Sequence, residues 1–93
     1  VSGHTPGPWS FKPSESDPNL FQVLDAQGCV IGFVLRGDRA ATRIVCGVNA
    51  NLIAAAPELL DSLIYLRNCI ESGTQPAMRE VNAAIEKAIG AKL

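Results

Sequence analysis

The segment Asn49–Leu63, NANLIAAAPELLDSL, decides how this chain folds. Alanine and leucine are strong helix formers, and the run is broken once, by Pro57. Proline has no N–H to donate and clashes inside a helix, yet it fits a first helical turn. Glu58 directly behind it suits the positive end of a helix. The stretch therefore reads as the end of one helix and the start of the next, with the break at Ala56–Pro57. Its left half is expected to pack on a sheet, and its right half to serve both the core and a self-association face.

Working outward, the first helix is predicted over residues 38–56, with Asp38 as its N-cap. Ile44, Val48, Leu52 and Ala55 share one face, widened by Val45 and Ile53. Gly47 costs helix propensity and offers room for a close neighbour. The second helix spans residues 57–72. It carries Leu59, Leu63, Leu66 and Ile70 in a stripe that Leu60, Ile64, Tyr65 and Cys69 extend past half the circumference. Such a helix needs cover on two sides. Gly73 is a natural C′ residue. Pro76 opens a third helix, residues 76–90, capped by Thr74 or Gln75, with Met78, Val81, Ile85, Ala88 and Ile89 as its apolar stripe. The short connection makes the last two helices an αα-hairpin.

Upstream, residues 1–8 (VSGHTPGP) are rich in Gly and Pro and read as an extended lead. Residues 9–36 hold three strand candidates: Trp9–Phe11, Leu20–Asp25 and Cys29–Arg36. Asp25-Ala26-Gln27-Gly28 is a tight hairpin turn, and Pro13–Asn19 is a surface loop. On the middle strand the Phe21/Val23 face is expected to be the drier one. Gly32 points to a bulge or a close backbone approach. The fold class is α+β: a three-stranded antiparallel β-meander followed by three α-helices, the last two a hairpin on one face of the sheet, in a single domain of residues 1–93.

The totals restrict the function. Hydrophobic residues make up 47% of the chain and charged ones 18%, with eight basic against nine acidic side chains. That is too apolar for disorder, and it lacks the basic excess with which proteins bind nucleic acid through phosphates. A homodimer is expected, through the surface of helices two and three, since one small sheet cannot cover the second helix. Cys29, Cys46 and Cys69 lie in apolar runs and read as buried thiols of a reducing compartment. No run is long enough to span a membrane, and the lead lacks the charged and apolar regions of a signal peptide. A cytoplasmic location is the expectation.

The catalytic inventory is nearly empty. His4 stands alone in the lead, without ligands at metal spacing, and no paired carboxylates or phosphate loop occur. No enzyme activity, metal or cofactor is expected. Arg36-Gly37-Asp38 spells an integrin-binding tripeptide and is read as a chance occurrence. Arg36, Arg39 and Arg43 cluster where the last strand meets the first helix, near an N-terminus that favours anions. They form either a solvated basic face or a site for a phosphate, nucleotide or acidic surface. Trp9 is either the plug of the sheet–helix core or an exposed interface anchor. Asn49 and Asn51 interrupt an apolar run and either face solvent or hydrogen-bond a loop or partner.

His4–Trp9 (HTPGPW) and the NANLIAAAPELL portion of Asn49–Leu63 together resemble a group of small phage and prophage proteins. Those pair an HTPGPW-like lead with an N-A-x-L-I-A-A-A-P-E-L-L helix, in this order and with hairpin strands between. The resemblance implies a prophage-encoded accessory protein acting in the bacterial cytoplasm, and it carries over no catalytic residue. The leading expectation is a non-enzymatic module that binds a host protein. The alternative is a small-ligand or nucleotide-binding module built on the three arginines. Nucleic-acid binding is disfavoured by the charge.

Overall fold

The computed structural model describes residues 3–37 and 39–92, without the side chains of residues 40 and 41. Strands β1 (Ser10–Pro13), β2 (Leu20–Leu24) and β3 (Val30–Leu35) are followed by helices α1 (Ala40–Ala54), α2 (Ala56–Ser72) and α3 (Arg79–Ile89). The sheet is an antiparallel meander in the order β1-β2-β3. The expected α+β architecture is thus present. Helix α1 touches all three strands, and α2 and α3 join the molecule by packing on α1 and on each other.

The hairpin between β2 and β3 forms as its residues dictate. Asp25 Oδ1 accepts hydrogen bonds from the Gln27 and Cys29 amides at 2.9 and 2.8 Å. Gly28 supplies a φ of +85°, which a side chain would resist. Phe21 and Val23 are buried, so the drier face of β2 is the one expected. Cross-strand pairing sets Phe21 against Val34 and Val23 against Gly32, with a register shift beside them. The bulge expected near Gly32 is there, and no other group approaches the glycine closely. On the opposite side of the same strand, Phe33 and Leu35 are 59% and 63% exposed.

Helix α1 departs from expectation in its orientation. Its buried residues are Ala50 and Ala54, whereas Ile44, Val48 and Leu52 are 70%, 54% and 53% exposed. Small side chains let the helix lie close to its neighbours, and the larger aliphatic face is left outward. Gly47 likewise has nothing within 4 Å of where a Cβ would stand. Asp38, the expected cap, lies outside the described residues. At the start of the helix Thr42 Oγ1 accepts from the Arg39 amide at 3.2 Å and donates to the Arg39 carbonyl at 2.9 Å.

The break in the Asn49–Leu63 segment falls at Ala55, one residue before the expected place. Two helices thus meet at a 48° bend, and Pro57 is the second residue of α2, where its missing N–H is harmless. The other end of α2 follows the sequence: Gly73 adopts φ +70°, and the Thr74 amide reaches back to the Cys69 carbonyl at 2.9 Å. Helix α3 begins at Arg79, three residues after Pro76, with Met78 as its N-cap in place of Thr74 or Gln75. The reason is visible upstream, where the Ala77 amide donates to the Tyr65 hydroxyl at 2.6 Å and holds that segment against α2.

Val81, Ala84 and Ala88 form the buried side of α3, while Met78 and Ile89 are exposed. On α2, Pro57 and Cys69 are buried, but Leu63 and Ile70 are exposed. Of the three thiols only Cys69 is buried; Cys29 is exposed in the turn before β3 and Cys46 is half-buried. The expectation of three buried thiols therefore holds for Cys69 alone: Cys29 lies in the hairpin turn rather than in the strand, and Cys46 stands on α1 only half-covered. Among the described residues no single helix is long and apolar enough to cross a membrane.

Candidate functional site

The Gly/Pro-rich lead ends in a docked segment. Gly7 lies so close to the second helix that a Cβ on it would stand 2.8 Å from Pro57 Cβ. Trp9 is half-buried; its indole N–H donates to the Thr5 carbonyl at 3.0 Å, and its ring meets His4 edge-on at 6.0 Å. With Ala56, Pro57 and Leu60 these two rings line a small, open apolar hollow of about 140 Å³. Trp9 thus neither plugs the sheet–helix core nor stands free. It covers the first turn of α2, and the HTPGPW lead and the APELL turn form one packed unit.

Lys87 of α3 closes this unit from the other side. Its ammonium donates to the Trp9 carbonyl at 2.9 Å and to Glu58 Oε1 at 2.8 Å. The remaining Glu58 oxygen, Oε2, is buried and accepts no hydrogen bond from the described residues. Beside this pair, α2 and α3 leave an open cleft of about 380 Å³ whose walls include Glu58, Asp61, Tyr65, Glu80, Val81 and Lys87. Three carboxylates and one ammonium line it, with Lys87 paired to Glu58, and apolar groups make up the rest of its walls. Such a cleft favours cationic or hydrogen-bond-donating groups, and it holds no nucleophile paired with a base. No group of three His, Cys, Asp or Glu residues able to hold a metal occurs among the described residues.

Sequence reading gave no hint of Lys87. It is 29 residues from Glu58 and 78 from the Trp9 carbonyl it binds, and no local spacing connects them. Asn51 is a second case: its side-chain amide lies against Gly90, where a Cβ would come within 2.6 Å of Nδ2. Asn51 therefore faces the end of α3, while Asn49 is exposed.

The three arginines do not line this cleft. Arg36 donates to the Pro18 carbonyl at 3.1 Å and lies 5.7 Å from the centroid of the Phe21 ring. Arg43 Nε donates to the Gly37 carbonyl at 3.1 Å. Both thereby brace the chain's own strand-to-helix junction, and Arg39 beside them is exposed.

No curated protein and no solved structure matches this chain. A family model does, over residues 2–92, and it is described as Salmonella phage P22 protein Y8K6. The match covers the lead, the meander and all three helices, so the chain belongs to this family of small phage proteins.

Proposed function

We propose that the protein is a phage accessory factor that acts without catalysis, by binding a protein of the bacterial host in the cytoplasm. The observation that carries this reading is the outer face of the sheet. Phe33 and Leu35 project from β3 on the side away from α1. The strand is also an edge of the sheet, with a row of backbone groups free to pair. Aromatic and aliphatic side chains on an open edge are what an extended segment of another protein can add to as a further strand. Family membership supports the phage setting, and the step from small phage proteins to host binding is an analogy of class.

The test is affinity capture from host lysate with the wild-type chain and with Phe33→Glu. A host protein recovered by the wild type and lost with the variant, whose circular dichroism stays unchanged, supports the reading. Recovery of nothing above background, or capture indifferent to Phe33, sinks it.

A further inference from the structure

The first helix turns its largest apolar side away from its own chain. Ile44, Val45, Val48 and Leu52 are each more than half exposed. Three of them follow at intervals of four, so they form one ridge along the helix. No charged residue falls between Ile44 and Leu52. Monomeric proteins seldom leave such a patch open to water.

The surface area says what kind of partner is missing. The chain exposes 6366 Å², whereas a compact monomer of its 9.8 kDa is expected to expose ~5,200 Å². The radius of gyration is 15.2 Å, against about 12 Å for a compact domain of this length. The excess is roughly 1,200 Å² per chain, more than the ~800 Å² each partner gives to a standard interface and of the size that obligate homodimers bury. Consistently, no large side chain among the described residues is fully buried within the single chain.

The pattern of the ridge says which partner fits. Ile44 and Leu52 stand four residues to either side of Val48. Two such helices laid antiparallel across a two-fold axis at Val48 place Ile44 on the partner's Leu52 and Leu52 on the partner's Ile44. A surface that is its own complement is the requirement of a closed symmetric dimer. Competing faces are poorer: on α2, exposed Arg67 stands between Leu63 and Ile70, and on the sheet Gln22 and Lys12 share the side of Phe33. With a net charge of −1, two copies do not repel at long range.

We propose that a second copy of this chain covers α1, with the two first helices antiparallel about Val48. The surface differs from the one expected from sequence, helices two and three. It leaves the outer sheet face free, so it stands or falls independently of host binding.

Crosslinking reads the geometry directly. In a Cys29→Ser, Cys46→Ser background, V48C sits on the two-fold axis and faces itself, so a short bis-maleimide should convert most of the chain to covalent dimer. L63C and F33C in the same background should give less than a tenth of that yield. Higher yield at Leu63 or Phe33 than at Val48 overturns the proposal. So does an equal, low yield at all three. Separately, Val48→Glu should raise the dimer dissociation constant at least a hundredfold with helical circular dichroism retained, and an undiminished dimer contradicts the account. Should that variant fail to fold, the crosslinking comparison, whose cysteine changes at exposed positions introduce no charge, decides alone.

Discussion

The ammonium of Lys87, in the last helix, lies 2.8 Å from Glu58 Oε1 at the start of the second and also binds the Trp9 carbonyl. One side chain thus ties together the lead, the proline-broken segment and the C-terminal helix. Both partners of the ion pair are about one-third exposed, which limits its Coulombic contribution. Its hydrogen bonds, and the buried second oxygen of Glu58, matter more. Lys87→Met should destabilise the fold by about 1–2 kcal/mol, since a charge-assisted bond is lost and a carboxylate is left without its donor. Urea denaturation of Lys87→Met, Glu58→Gln and the double variant measures this. A double variant no worse than either single change confirms the coupling.

The lead should be held by shape. A methyl group at Gly7 would meet Pro57 Cβ at 2.8 Å and Cγ at 3.2 Å, and a proline ring cannot swing aside. Gly7→Ala should push the lead off the second helix and cost about 1–2 kcal/mol. Trp9 is the single tryptophan, so its emission should shift to longer wavelength as its cover is lost. An unchanged spectrum and midpoint would show that the contact is dispensable.

Two further glycines should respond with opposite sign. Gly90 has φ +70° and lies against Asn51 Nδ2, so Gly90→Ala should destabilise by ~1–2 kcal/mol, from backbone strain and a clash together. Adding Asn51→Ala should recover the part due to the clash. Gly47 lies within α1 with open space where a Cβ would go. Gly47→Ala should stabilise by about 0.5–1 kcal/mol through helix propensity. Thermal unfolding of the three variants checks the signs.

Much of this fold is legible in the sequence, and the reasons are local. Gly28 and Asp25 specify their turn, Gly73 ends the second helix, and Pro57 cannot be interior to one. What is not legible depends on contacts between distant residues. The start of α3 is shifted because Tyr65 takes the Ala77 amide, a bond across the hairpin. The outward turn of Ile44, Val48 and Leu52 is concealed for another reason. Hydrophobic periodicity shows that a face must be covered, but not whether the cover comes from the same chain. Alanines at positions 50 and 54 are buried because they allow close approach, a property that a hydrophobic pattern underweights. At the site, Trp9 was identifiable as a residue of interest, but Lys87 carries no signal that singles it out.

Tyr65 offers a check on that hairpin bond. Tyr65→Phe removes the acceptor for the Ala77 amide at 2.6 Å and should cost roughly 0.5–1.5 kcal/mol. Hydrogen exchange at Ala77 should accelerate more than at helix amides such as that of Ala84. Equal protection in both proteins would mean that the segment is held by packing alone.

The central claim is that one chain does not complete its own core and that a second copy supplies the cover. Sedimentation equilibrium at tens of micromolar tests it most directly. The account predicts a species of twice the 9.8 kDa chain mass, dissociating on dilution and shifted toward monomer by Val48→Glu. A single species at the chain mass over the whole concentration range would contradict it.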